Sequence, residues 1–206
     1  MIKARLNGLY AITADTDDES RLFDGVAAAI RGGARFVQYR DKHKELRSLQ
    51  RRAHRLLLLC QEYGASLIIN DDIDLCLAIN ADGVHLGKDD ENLITARSLL
   101  GDDKIIGVSC YNQPKLAVQA QADRADYIAF GSFFNSETKP NAPVAPLSLL
   151  TQAHNTLTIP VVAIGGITVD NGQQLVDAGA NALAVITGLF DQTDIENTAK
   201  KFSQMF

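Results

Sequence analysis

Three polar side chains stand at alternate positions in Gln38-Tyr39-Arg40-Asp41-Lys42, where an apolar run stops. In an extended chain successive side chains point to opposite faces, so Gln38, Arg40 and Lys42 project together while Val37, Tyr39 and Asp41 face the other way. An amide and two cations on one face suit an anion. Lys139 offers a third cation, and Asp71 and Asp90 offer carboxylates for a hard divalent ion without Cys or obligatory His, which favours Mg2+ over zinc. These charges either pair with one another or serve a diphosphate, whose oxygens a metal bridges and whose remaining charge the cations neutralise. A second anion site is suggested by Gly165-Gly166 and Thr187-Gly188, where backbone N–H groups can approach phosphate oxygens; tight turns would also use these glycines.

The elements that would position these residues form a repeated unit: a short apolar run, a polar loop, then helical spacing. Eight strands are expected at 8–13, 36–40, 66–70, 83–87, 104–110, 126–134, 160–166 and 182–190. Helices are expected at 20–31, 45–63, 73–80, 91–100, 114–121, 147–155, 170–178 and 194–206, the second carrying the stripe Leu46, Leu49, Ala53, Leu56, Leu57 and Cys60. Eight strand–helix units favour closure over an open sheet, and no Gly-x-Gly-x-x-Gly follows the first strand. The expected fold is α/β, a compact (β/α)8 TIM barrel forming a single domain over 1–206, with its site at the carboxyl ends of the strands. Polar residues collect there. The connection 135–146, with three prolines, has the length of a functional lid.

Composition narrows the class. With 20 Lys and Arg against 25 Asp and Glu, the net charge of −5 argues against a nucleic-acid partner. No apolar run approaches a bilayer span, and the start lacks a signal-peptide pattern, so a cytoplasmic protein without membrane contact is expected. Cys60, Cys76 and Cys110 have neither disulfide nor zinc spacing and read as packed thiols. His85 lies within a strand and reads as structural, whereas His43, His54 and His154 read as surface. The oligomeric state is open, a homo-oligomer included.

Taken in order, Gln38-x-Arg40-x-Lys42, Ile68-Ile69-Asn70-Asp71, Gly83-Val84-His85-Leu86-Gly87 with Asp90, Gly107-Val108-Ser109, the 131–139 stretch and Val162-Ala163-Ile164-Gly165-Gly166-Ile167 resemble thiamine-phosphate synthase. The resemblance covers nearly the whole chain. It implies a transferase that joins 4-amino-2-methyl-5-hydroxymethylpyrimidine diphosphate to a thiazole phosphate and releases diphosphate. It also implies that Gln38, Arg40, Lys42, Asn70, Ser109 and Lys139 hold the pyrimidine diphosphate, with Arg40, Lys42 and Lys139 drawing off the leaving group, and that Asp71 and Asp90 ligate Mg2+. Ser136, Thr138, the Gly166 backbone, Ile186 and Thr187 would hold the thiazole phosphate, and Tyr39, Asp41 and Glu137, interleaved in the same segments, complete the implied substrate set. The chain departs from the family pattern Gly-Pro-x-Phe-Pro-Thr-x-Thr-Lys, reading Gly131-Ser132-Phe133-Phe134-Asn135-Ser136-Glu137-Thr138-Lys139 without either proline. Two rivals are a thiazole tautomerase, whose histidine after Gly-Val-Ser is replaced here by Cys110 and Tyr111, and a paralogue that binds thiamine phosphate without turnover.

Overall fold

A computed structural model describes residues 6–41, 45–87, 92–135 and 144–206. The strands are β1 (Gly8–Ile12), β2 (Phe36–Tyr39), β3 (Ser66–Asn70), β4 (Gly83–Leu86), β5 (Ile105–Tyr111), β6 (Tyr127–Phe130), β7 (Val161–Ile164) and β8 (Ala182–Val185). Each pairs in parallel with its neighbours in chain order, and β8 returns to β1, closing the barrel. The helices are α1 (Glu19–Arg31), α2 (Leu46–Tyr63), α3 (Ile73–Ile79), α4 (Leu93–Leu100), α5 (Pro114–Ala122), α6 (Ser148–Thr156), α7 (Gln173–Asp177), α8 (Thr187–Phe190) and α9 (Ile195–Ser203). Among the described residues no helix is long and apolar enough to cross a membrane.

Period-two alternation sorts the strand residues into two layers. Tyr10, Ile12, Phe36, Ile68, Ile105, Tyr127, Ala129, Val162, Ala182 and Ala184 pack inside the barrel. Their neighbours, such as Leu9, Val37, Leu67, Val84, Ile128 and Leu183, pack outward against the helices. Gln38 lies in β2 with the parity of inward-facing Phe36, whereas Val37 and Tyr39 belong to the helix-side core.

The lower rim uses one device at three alternate strands. The residue just before β4, β6 and β8 (Asp82, Asp126 and Asn181) accepts, through its side-chain oxygen, the N–H of Leu67, Ile106 and Val161 respectively. The backbone N–H of each of the three donates to the carbonyl of that same residue. Otherwise orphaned strand-end groups are thereby paired.

Asp126 is in turn tied to Arg97 of α4, whose guanidinium is 7% exposed. Arg97 donates to Asp126 Oδ2 and to the carbonyls of Gly101, Lys104 and Arg124. Arg97→Met would keep much of the volume but leave three carbonyls and a carboxylate without that donor. A loss of about 3 kcal/mol is expected, a fall in Tm of roughly 6–12 °C. Thermal denaturation of the variant checks this, and an unchanged Tm would show the cluster to be neutral.

Several expected boundaries are corrected. Strand six stops at Phe130, strand seven at Ile164 and strand eight at Val185. After β7, Gly165 and Gly166 take φ of 104° and 62°, which ends the extended run. After β8 the apolar run Ile186-Thr187-Gly188-Leu189-Phe190 becomes the helical turn α8, with the Phe190 N–H donating to the Ile186 carbonyl at 2.9 Å. This turn places Leu189 in the core. On α2 the stripe buries Ala53, Leu56, Leu57 and Cys60, but Leu46 is exposed and Arg52 is buried instead.

Candidate functional site

At the carboxyl ends of the strands lies a cavity floored by Tyr10, Gln38, His85 and Ser109. Arg40 and Asn70 stand on one side of its lining; Gly165, Gly166, Ile186, Thr187 and Gly188 come from the loops after β7 and β8. Of the residues expected from sequence, Gln38, Arg40, Asn70, Ser109, Gly166, Ile186 and Thr187 therefore share one cavity. Lys42, Asp90, Ser136, Glu137, Thr138 and Lys139, with His43 and most of the expected lid, lie outside the described residues.

Arg40 is braced at its backbone. Its N–H donates to Thr13 Oγ1 at 3.0 Å, and the same hydroxyl donates to the Arg40 carbonyl at 3.1 Å. Its guanidinium pairs with Asp15 at 2.8 Å, with both side chains partly exposed at the end of β1. Pairing and anion binding, the two alternatives for these charges, are compatible here, because an exposed pair contributes only about 0–1 kcal/mol and can be re-formed around a ligand.

Asp71 follows β3 in a left-handed conformation, φ 64°, which a short polar side chain tolerates. Its N–H donates to the His85 carbonyl at 2.8 Å, and its carboxylate accepts from the Asn70 amide at 2.6 Å. The carboxylate is thus oriented before any ion binds. Among the described residues no group of three or more His, Cys, Asp or Glu gathers for a metal; the expected partner of Asp71, Asp90, is not among them.

Tyr39 and Asp41, named in the expected substrate set, are not among the described residues that line the cavity. Their side chains meet Arg52 of α2: Arg52 Nη1 donates to Asp41 Oδ2 at 2.8 Å, and the Tyr39 hydroxyl donates to the same oxygen at 3.3 Å. Tyr39 belongs to the helix-side core and Asp41 shares its partner Arg52; neither is among the residues lining the cavity. Arg52 is 1% exposed, so a buried ion pair anchors the back of the strand whose front carries Gln38 and Arg40.

The glycines after β7 serve both alternatives. A side chain at Gly165 would collide with Ser132, and one at Gly166 with the backbone of Asn135 and Phe134. Close approach and positive φ therefore demand glycine, and the same backbone lines the cavity. Asn171 donates its amide to the Gly166 carbonyl at 3.0 Å, fixing the loop.

The expected set missed Tyr10, Tyr111, Ser132 and the apolar wall of Ile12, Val162 and Ile164. Strand parity counted from Gln38 and across the register Ile12↔Gln38 would have found Tyr10 and Ile12. His85, read as structural, is indeed hydrogen-bonded through both ring nitrogens but also lines the cavity. His54 and His154 are exposed, as expected. Cys60, Cys76 and Cys110 are buried and free. Burial pushes the Cys110 thiol up to about 12, far from nucleophilic use near neutral pH.

The closed parallel barrel and the cavity at its carboxyl end, apolar walls set with a few polar side chains, define a (β/α)8 protein with a small-molecule site and glycine-lined loops after strands seven and eight. A family model described as thiamine monophosphate synthase matches residues 9–189. The thiamine-phosphate synthase of Methylobacillus flagellatus is 50% identical over 201 residues, covering 98% of this chain and 96% of that protein. That of Nitrosospira multiformis is 48% identical over 204 residues, covering 99% and 87%. Thiamine phosphate pyrophosphorylase from Pyrococcus furiosus superposes with a TM-score of 0.86 at 31% identity, covering 96% of this chain and 94% of the other. The chain belongs to the thiamine monophosphate synthase family.

Proposed function

We infer that the chain, as one domain over 1–206, condenses 4-amino-2-methyl-5-hydroxymethylpyrimidine diphosphate with a thiazole phosphate, giving thiamine phosphate and diphosphate. The observation that carries this is the sharing of one cavity by Gln38, Arg40, Asn70 and Ser109 on one side and the glycine-lined β7 and β8 loops on the other, in a member of this family. Two phosphorylated substrates need two anion-holding regions, and the two groups of lining residues, from different strands, support that reading.

In this reading the bond from the pyrimidine methylene carbon to the diphosphate oxygen breaks, and its electron pair leaves with the diphosphate. The thiazole nitrogen lone pair then forms the new C–N bond. Arg40, with Lys42 and Lys139, neutralises charge growing on the leaving group; Asn70 and Ser109 hold the pyrimidine; the Gly166 backbone, Ile186 and Thr187, with Ser136 and Thr138, hold the thiazole phosphate. No protein nucleophile is required. Asp71 and Asp90 would hold Mg2+, which when bound neutralises diphosphate oxygens; the pre-oriented Asp71 carboxylate is the hard oxygen donor such an ion takes. The reading suits a cytoplasmic enzyme of small-molecule substrates, without nucleic-acid or membrane partners, in keeping with the net charge of −5. Thiazole tautomerisation is disfavoured because Cys110 and Tyr111 follow Ser109, and the buried Cys110 thiol is no base.

The test is direct. Purified protein with both substrates and Mg2+ should form thiamine phosphate and diphosphate in equal amounts, measured by chromatography. An isomerised thiazole, or no product, would overturn the assignment. EDTA should abolish turnover and added Mg2+ or Mn2+ restore it, whereas full activity in EDTA would remove the metal from the mechanism.

A further inference from the structure

Beneath the cavity runs a hydrogen-bonded chain that packing does not explain. Gln38 Nε2 donates to the Tyr10 hydroxyl at 2.9 Å; the Tyr10 and Tyr127 hydroxyls lie 2.8 Å apart; the Tyr127 hydroxyl is 2.9 Å from His85 Nδ1; and His85 Nε2 is 2.9 Å from Ser109 Oγ. Five strands contribute one residue each. Tyr10 and Tyr127 are buried in the barrel interior, where Tyr10 meets Phe36 and Tyr127 edge-on and Tyr127 stacks on the His85 ring. Phenylalanine at both positions would make the same ring contacts without a hydroxyl to desolvate.

The hydroxyl pair and the two His85 ring nitrogens allow either sense of donation, and the sense that gives every buried hydrogen an acceptor starts at Gln38. The Gln38 amide donates to the Tyr10 oxygen, and the Tyr10 hydrogen goes to Tyr127. Tyr127 then donates to Nδ1, which leaves the imidazole proton on Nε2, where it is donated to Ser109 Oγ. The serine hydrogen remains for an acceptor in the cavity that Ser109 lines. Burial raises the ionisation of both phenols well above neutral pH, so the chain transmits orientation rather than charge.

We propose that Tyr127, with Tyr10 behind it, is a positioning residue for the pyrimidine substrate: through His85 it sets the Ser109 hydroxyl as a donor toward a heteroaromatic ring nitrogen. This rests on the assignment of the cavity to a pyrimidine diphosphate. Without the Tyr127 hydroxyl, His85 Nδ1 loses its donor, the imidazole can turn or change tautomer, and Ser109 no longer presents one polarity.

Calorimetric binding of the pyrimidine diphosphate, together with steady-state kinetics, should be compared for wild type, Tyr127→Phe, Tyr10→Phe, Ser109→Ala and the Tyr127→Phe/Ser109→Ala double variant. Tyr127→Phe should weaken pyrimidine diphosphate binding about five- to ten-fold, the scale of one misdirected neutral hydrogen bond. Tyr10→Phe should do the same to a smaller extent. KM for the thiazole phosphate should stay unchanged, and the double variant should bind no more weakly than Ser109→Ala alone. Losses that add in the double variant, equal losses for both substrates, or no loss in an otherwise active Tyr127→Phe enzyme would overturn the proposal alone. A wild type that makes no thiamine phosphate would overturn both it and the functional reading.

Discussion

Arg40→Ala should lower kcat and kcat/KM together by about 100-fold or more, with little change in stability. Unit charges about 4 Å apart interact by roughly 4 kcal/mol at an effective dielectric of about 20, and half to three quarters of that, realised as the diphosphate departs, corresponds to about 30- to 150-fold in rate. The geometric bonus of a forked, charge-assisted contact adds to this. Stability should hold because the residue's backbone, not its guanidinium, is tied into the fold through Thr13. The guanidinium pairs with Asp15 at the rim, where both side chains remain over 20% exposed, and such pairs contribute about 0–1 kcal/mol. A parallel fall in both kinetic constants marks an interaction made mainly in the transition state. Arg40→Lys should recover part of the rate, since it keeps the charge but loses the fork. Steady-state kinetics beside a melting curve decide the matter: an Arg40→Ala enzyme with unchanged kcat and an altered thiazole KM would place the two substrates at opposite ends from those assigned.

The barrel was legible because strand and helix periods alternate eight times, and eight closed parallel strands are observed. The front of β2 was legible for the same reason, since alternation alone separates Gln38 and Arg40 from Tyr39 and Asp41. Tyr39 and Asp41, also expected among the substrate contacts, fall on the other face by that alternation, and Arg52, 11 residues beyond Asp41, is the partner they share there. Its position, three residues after Leu49 and four before Leu56, falls on the apolar stripe, but a guanidinium is buried there only if a carboxylate from another element meets it. Arg97 and Asp126, 29 residues apart, repeat the lesson. The ends of β7 and β8 were overrun because apolar composition does not distinguish a strand from a tight helical turn. Positive φ at Gly165 and Gly166 and the α8 turn are decided by contacts with Ser132, Asn135 and Ile167, which are distant in sequence. His85 was legible as satisfied but not as part of the cavity floor, because its partners Tyr127 and Ser109 arrive from β6 and β5.

Gly107→Ala should be among the most damaging single-methyl additions in the chain. Gly107 sits on β5 directly opposite Tyr127 on β6, with an ordinary strand conformation, so its role is space rather than backbone freedom. A Cβ at this position would fall on the Tyr127 ring and hydroxyl. The ring cannot swing away cheaply: it is fully buried, stacked on His85 and hydrogen-bonded to Tyr10 and His85. Overpacking costs about 1–3 kcal/mol, and each buried hydroxyl partner left unmet adds about 1–3 kcal/mol, so a total of about 3–5 kcal/mol is expected. For a chain of this size that is a fall in Tm of roughly 6–20 °C, with pyrimidine diphosphate binding weakened as well because the floor beneath Ser109 is displaced. The cause can be isolated by shrinking the obstacle. In a Tyr127→Leu background the added methyl should cost less than about 1 kcal/mol, since the ring it strikes is gone and the two substitutions share one volume. A Gly107→Ala penalty that stays the same in both backgrounds would show that backbone entropy or β5 pairing, rather than the Tyr127 ring, requires glycine at this position.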